Sequence, residues 1–332
     1  MRGTFHTCVV RIMGVLVLCW MVRPMGEGIA ADKLIGLHSA QVLSQSMPWI
    51  AQEAGLFKKY DLDFRLIFIS SSAVATAATL GGDAEIALTG GIGNVRAYVQ
   101  GATDIVFIGG VKNILTHNIV GKPDIKRPED LRGKKIGIGR IGSNTHYFVV
   151  QALRRFGMDA NRDVLPIQTG GGPETVTALL SGGVDAASLT APGDSRAVAQ
   201  GYRIVINGPD LRIPYTATSF VTLRSLIAKR GPVIGRFMRV MADASKILFN
   251  DKAFVYKVLG KYLRVTDTKI LDASYNGEIP ALERRLEIRD SAMEATLEEI
   301  AQTDPRAKTV KPSELIDRRY LDELERSGAF GK

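Results

Sequence analysis

Between residues 33 and 207 the chain alternates short apolar runs with longer segments whose apolar positions recur every three or four residues. The runs lie at 34–38, 63–69, 86–89, 105–111, 135–139, 164–168, 186–190 and 203–207, each bounded by glycine or polar turns. Runs of this length predict strands, and the segments between nearly all of them, at 46–55, 72–81, 92–100, 144–157, 173–181 and 192–200, predict helices. The opening unit is typical. A strand leads into a helix whose first turn accepts Pro48, Gly55 stops the helix, and a second strand begins at Leu62. Strict β/α alternation predicts an α/β protein built from mostly parallel, doubly wound sheets, with ligands at the carboxyl ends of the strands. After Phe220 strand signals nearly vanish. Helical periodicity continues to about Lys261 and returns at 267–276, 290–302 and 313–326, so the C-terminal portion is expected to be helical.

Two stretches interrupt the alternation. One runs over 112–134 with Lys122-Pro123 and Arg127-Pro128, the other over 207–218 with Gly208-Pro209 and Ile213-Pro214. They bracket a block with a β/α set of its own. A block inserted in a larger domain is joined to it by two chain crossings, which is how a hinged, two-lobed body arises. The expected division is 31–115 plus 218–332 as one lobe and 116–217 as the other, with crossings near 114–119 and 213–219. Two sequential domains on one linker are the alternative.

Composition refines this picture. Arg2 and Arg11 flank the start of an apolar run over 12–22 that is too short to span a bilayer, and Gly28-Ile29-Ala30 supplies small residues for cleavage, so residues 1–30 read as a secretory signal peptide. Both cysteines, Cys8 and Cys19, lie within it. The exported chain would then hold no disulfide, cysteine nucleophile or thiolate metal site. The formal charge is +9, and three Arg and one Glu among the first 31 residues leave about +7 for the rest. The basic pairs are scattered and interleaved with acids, which fits a solvated surface better than the concentrated face of a nucleic-acid reader.

Candidate chemistry gathers where helices follow strand ends. Ser70-Ser71-Ser72, Thr89-Gly90-Gly91, Gly142-Ser143-Asn144-Thr145 and Thr190-Ala191-Pro192 each open a helix. Helix N-termini present unsatisfied N–H groups and partial positive charge, suited to carboxylate, sulfonate or phosphate oxygens. Plain N-capping is the simpler role for any one of them. Four at one edge of two sheets, two from each lobe, suggest a cleft. Ser39 and Gln41 follow the first strand to the same edge. Tyr147, Phe148 and Tyr215 are candidate walls, and Arg140 a candidate anion partner.

Other patterns point away from catalysis. Gly137-Ile138-Gly139-Arg140-Ile141-Gly142 is a literal GxGxxG, but a dinucleotide site needs an acid at the end of the next strand, which here is Gln168-Thr169. Gly170-Gly171-Gly172-Pro173 lacks the Gly-Lys-Ser/Thr of a P-loop and reads as a flexible turn before a helix. No pair among His38, His117 and His146 has metal-ligand spacing, although His38 and His146 are candidates to line the cleft. No nucleophile elbow or paired-carboxylate signal is present. Neither a cofactor nor a catalytic residue is expected.

The strings Met47 to Phe64, Gly82-Asp83-Ala84-Glu85-Ile86-Ala87, Arg127-Pro128-Glu129-Asp130-Leu131-Arg132-Gly133-Lys134-Lys135-Ile136-Gly137, Leu180-Ser181-Gly182-Gly183-Val184-Asp185-Ala186 and the tail from Ile316 to Gly328 follow one another along the chain. Taken together in order, they resemble the periplasmic solute-binding proteins of ABC importers of the nitrate/sulfonate/taurine and thiamine-precursor type. The resemblance implies a type II periplasmic-binding fold, a small-molecule solute, a membrane permease as partner and a monomer. It implies ligand contacts at Ser39, Gln41, Ser71, Ser72, Thr89, Gly90, Gly91, Ser143, Asn144, Thr145, Thr190 and, from the hinge, Tyr215. A TRAP-type receptor, a sensor ectodomain and a thiamine-pyrimidine synthase are the competing readings. The last is weakened because those enzymes carry a cysteine-rich motif.

Overall fold

The computed structural model describes residues 31–331, so the signal peptide expected over 1–30 lies outside the described residues. Among the described residues ten strands form two five-stranded sheets. The first contains β1 (Asp32–His38), β2 (Leu62–Phe68), β3 (Ile86–Thr89), β4 (Ile105–Ile114) and β10 (Pro214–Leu223), in the order β2-β1-β3-β10-β4. The second contains β5 (Asn118–Gly121), β6 (Lys135–Ile138), β7 (Leu165–Gln168), β8 (Ala186–Leu189) and β9 (Arg203–Ile206), in the order β7-β6-β8-β5-β9. β1 pairs in parallel with β2 and β3, and β6 with β7 and β8. β10 runs antiparallel between β3 and β4, and β5 antiparallel between β8 and β9.

The eight strands expected from the apolar runs are all present. The two further strands, β5 and β10, lie where the chain passes between the sheets. β5 is four residues with no alternation to announce it. In β10, Tyr215, Ala217 and Val221 face one core while Phe220 faces the other. The strand is buried along nearly its whole length, so its apolar and small polar residues blur the period-two signal.

The helices of the first half are α1 (Met47–Glu53), α2 (Leu56–Lys59), α3 (Ser72–Gly81), α4 (Gly91–Val99), α5 (Asn144–Arg155), α6 (Gly172–Leu180), α7 (Gly193–Ala199) and α8 (Gly208–Leu211). The C-terminal portion is helical as expected: α9 (Arg224–Asn250), α10 (Lys252–Leu263), α11 (Thr268–Glu278), α12 (Asp290–Ala301), α13 (Pro312–Leu315) and α14 (Arg319–Arg326). The helix expected over 313–326 is two pieces, because Ile316 between α13 and α14 is extended and bridges to Phe107. α9 kinks at Arg230, two residues before Pro232, whose ring and missing N–H break the helical ladder.

One hydrophobic core packs α1, α9, α10 and α14 on the first sheet, through residues such as Trp49, Phe220, Phe237 and Leu259. A second runs continuously from the other face of that sheet to the second sheet, through Leu37, Phe107, Ile119, Ile136, Phe148 and Leu297. A small third cluster, including Val120, Leu179 and Ala197, seats α6 and α7 on the second sheet. Among the described residues no helix is long and apolar enough to cross a membrane.

Candidate functional site

A cavity of about 140 Å³ opens between the two sheets, at the carboxyl ends of β1, β2, β6, β7 and β8. An apolar cavity of about 150 Å³ accommodates benzene, so the space suits a solute of similar bulk. The first sheet contributes Ser39, Gln41 and Gln45 after β1, and Phe68, Ser71 and Ser72 at the end of β2 and the start of α3. The second contributes Ser143, Asn144 and Thr145 at the start of α5, Gly171 to Pro173 at the start of α6, Ser188 to Thr190 at the end of β8, and Arg196 on α7. His117, from the crossing between β4 and β5, and Leu263, at the end of α10, complete the wall together with small and apolar residues.

Each loop is held by a definite network. Gln45 folds back so that its Oε1 accepts from Ser39 N and Ala40 N, both at 2.8 Å, while its Nε2 donates to Ser39 Oγ at 3.2 Å. Thr89 Oγ1 donates to the same Ser39 hydroxyl at 3.0 Å. Ser71, just before α3, holds φ +116°, a conformation costly for a residue with a Cβ. Strain of that kind clusters at ligand loops. The literal GxGxxG closes onto α5: Gly139 N donates to Thr145 Oγ1 at 2.8 Å, Arg140 N donates to Ser143 Oγ at 3.3 Å, and the two hydroxyls share a hydrogen bond of 2.9 Å. At α6, Gly171 N donates to Glu174 Oε2 at 3.1 Å, so the Glu174 side chain folds back on the start of its own helix. A Cβ on Gly171 would overlap the hydroxyl of Ser70, because the two sheets' loops meet there.

The wall is electrostatically one-sided. Arg196 is its only charged side chain among the described residues, and no carboxylate lines it. Burial and the nearby Lys112 ammonium hold His117 neutral, its pKa lowered to about 3. Its ring stacks on Phe148, with centroids 5.5 Å apart. The hydroxyls of Ser71 and Ser188 and Nδ1 of His117 are buried without a hydrogen-bond partner among the described residues. Such groups are uncommon in folded interiors.

Of the twelve site residues expected from the sequence, eight line this cavity: Ser39, Gln41, Ser71, Ser72, Ser143, Asn144, Thr145 and Thr190. The other four stand behind the wall. Thr89 orients Ser39, as described. Gly90 and Gly91 are covered, since a Cβ on Gly90 would overlap the Asn144 carboxamide and one on Gly91 would meet Thr216. Tyr215 is fully buried, its hydroxyl accepting from Ile92 N at 2.9 Å and donating to Asn144 Oδ1 at 2.8 Å. Asn144 also donates to Ala217 O at 2.8 Å. It fills the space in front of α4, so the three longer helices that point their N-termini at the cavity are α3, α5 and α6. His38, Arg140 and His146 are outside the wall. His38 packs between Trp49 and Phe68, and His146 Nδ1 accepts from Gly142 N at 3.3 Å. The wall residues the sequence did not single out are chiefly Gln45, Phe68, His117, Gly171, Gly172, Ser188, Arg196 and Leu263. Among the described residues no group of three His, Cys, Asp or Glu stands close enough to hold a metal ion.

The sequence profile of the NMT1/THI5-like family matches residues 46–253, well over half the chain. The chain belongs to the NMT1/THI5-like family. No curated protein matches this family member in sequence. A protein of Bordetella bronchiseptica superposes on it with a TM-score of 0.78 at 21% identity, covering 89% of this chain and 98% of that one. The alkanesulfonate-binding protein SsuA of Xanthomonas axonopodis pv. citri, bound to MOPS, gives 0.73 at 19% identity, with 87% and 98% covered. A variant of the desulfurization enzyme DszB, in complex with biphenyl-2-sulfinic acid, gives 0.66 at 15% identity, with 89% and 99% covered. This NMT1/THI5-like protein therefore has the periplasmic-binding-protein fold, which serves binding proteins and at least one enzyme alike.

Proposed function

We propose that this protein is an extracytoplasmic receptor that captures a small anionic solute and delivers it to an ABC import permease. In this reading residues 31–115 and 218–332 form one lobe and 116–217 the other. A cleaved leader sends the chain to the periplasm, where it acts as a monomer. The solute binds one lobe, and closure adds contacts from the other. It shifts the population toward the closed state only by its differential affinity for that state.

The observation that carries this reading is the convergence of α3, α5 and α6, drawn from two different sheets, on one cavity with a lone positive charge and no carboxylate. Partial positive charge at three helix starts favours an anion. A micromolar dissociation constant corresponds to about −8 kcal/mol, within reach of several hydrogen bonds in a dry cleft.

The test is a thermal-shift screen of the purified exported chain against small carboxylates, sulfonates, aromatic acids and pyrimidines, followed by small-angle scattering with each hit. A rise in melting temperature together with a fall in radius of gyration is expected. Replacing Ser143 and Thr145 with leucine should weaken a hit at least tenfold. Turnover of a hit would move the assignment to the catalytic members of the fold. A rigid particle that no compound stabilises would remove the receptor reading altogether.

A further inference from the structure

We propose that Arg196 selects the solute by its negative charge and converts that selection into closure of the cavity. This rests on the receptor reading and names the residue that executes it.

Arg196 lies on α7, which packs on β5 and β9 of the second sheet. A guanidinium carries five N–H donors. Among the described residues Arg196 makes a single side-chain hydrogen bond, from Nη2 to the carbonyl of Leu263 at 3.2 Å, and no carboxylate lines the cavity with it. The acid nearest in sequence, Asp194, is committed elsewhere. It accepts from Asn118 Nδ2 at 2.8 Å and from Ser195 N and Oγ at 2.5 and 3.1 Å. Arg196 is a partly buried residue in an otherwise uncharged wall. A cation there gains from a counter-charge that enters the cavity and excludes water from it. The solute is the group that supplies it.

The one bond Arg196 does make spans the cleft. Leu263 ends α10, a helix packed on α1 and α9 over the first sheet. Its carbonyl is one of the groups a helix C-terminus leaves unpaired, and it carries the negative end of the helix dipole. One planar fork therefore faces a carbonyl of one layer and the cavity between both. An anion that pairs with the remaining N–H groups fixes the plane of the fork and thereby the bond to Leu263. An uncharged isostere of equal size fills the space without fixing it.

The experiment compares the exported wild-type chain with Arg196→Gln and Arg196→Lys. The probes are methanesulfonate, benzoate and benzenesulfonate, each set against its uncharged amide, with affinity read by calorimetry and compaction by small-angle scattering. The expected result is that the wild type binds at least one anion tenfold or more tighter than its amide and contracts only with the anion. Arg196→Gln should lose at least tenfold in affinity for that anion, leave the amide unchanged, and no longer contract. Arg196→Lys should retain part of the charge preference and lose the contraction, since an ammonium is a point charge without the fork. A purely structural role would weaken anion and amide together, and that outcome overturns the proposal. So does an Arg196→Gln chain with wild-type anion affinity, or a wild-type preference for the amides. Each of these leaves the receptor reading standing, whereas a wild-type chain that binds no probe and stays rigid removes both.

Discussion

Two buried histidines set a steep acid limit on stability. Burial lowers the His38 pKa to about 4, partly countered by the hydrogen bond between its Nδ1 and the Ala40 carbonyl, and His117 is held near 3. In the unfolded chain both titrate near 6.5. Their folded values lie below their unfolded values, so below pH 6.5 the unfolded state binds protons that the folded state refuses. Stability is therefore whole above pH 6.5 and drains as pH falls toward 4. At 1.36 kcal/mol per pH unit per proton, each histidine removes about 2 kcal/mol between pH 7 and pH 5. Together they remove about 4 kcal/mol, a large share of the 5–15 kcal/mol typical of a folded protein. Two other groups modulate the slope. His146 is also lowered by burial and adds to it, whereas burial raises Asp194, whose contribution grows as pH falls. Urea unfolding of the exported chain at intervals from pH 7 to pH 5 measures the slope. His38→Gln and His117→Gln should each flatten it by about half, and the double variant should leave a small residual. A wild-type slope no steeper than that of the double variant would refute the argument, whatever the absolute stabilities.

Three further outcomes follow from the packing. Lys112 and Glu278 form an ion pair only a few per cent exposed, in which Glu278 also accepts from Ser44 N and from Thr116 Oγ1. Lys112→Met should cost roughly 3–5 kcal/mol by stranding the carboxylate, while Lys112→Met with Glu278→Leu should recover most of it in chemical denaturation. Tyr215→Phe removes the hydroxyl shared by Ile92 N and Asn144 Oδ1 and should cost about 1–3 kcal/mol in the same assay. Gly90→Ala should displace the Asn144 carboxamide from its place against α4, lowering the melting temperature and weakening any solute found in the screen.

Much of the architecture was legible because parallel α/β units repeat a local pattern: an apolar run, a polar or glycine turn, an amphipathic helix. What escaped was non-local. β5 and β10 are strands because of what flanks them on both sides, and nothing within Asn118–Gly121 announces that. The cavity divides in the same way. Serines and threonines at helix starts were readable at Ser71, Ser143 and Thr190, since capping chemistry and ligand chemistry use the same residue types. The start of α6 looked like a flexible glycine turn, and its role depends on the loop near Ser70 passing against it. Tyr215 and Gly90 lie at the expected edge but are hidden by a single side chain, Asn144. Leu263 and Arg196 carry no local mark. A leucine ending a C-terminal helix and one arginine among many acquire meaning only when α10 and α7 face each other across the cleft.

The position of β10 also dictates an order of assembly. It is the strand that joins β4 to β3, so the first sheet remains two separate pieces until residues 214–223 have been made. By then every strand of the second sheet has already been made. Chain order thus completes the inserted layer before supplying the middle of the layer begun first, and pairing over so long a stretch of sequence is expected to slow closure of that first layer.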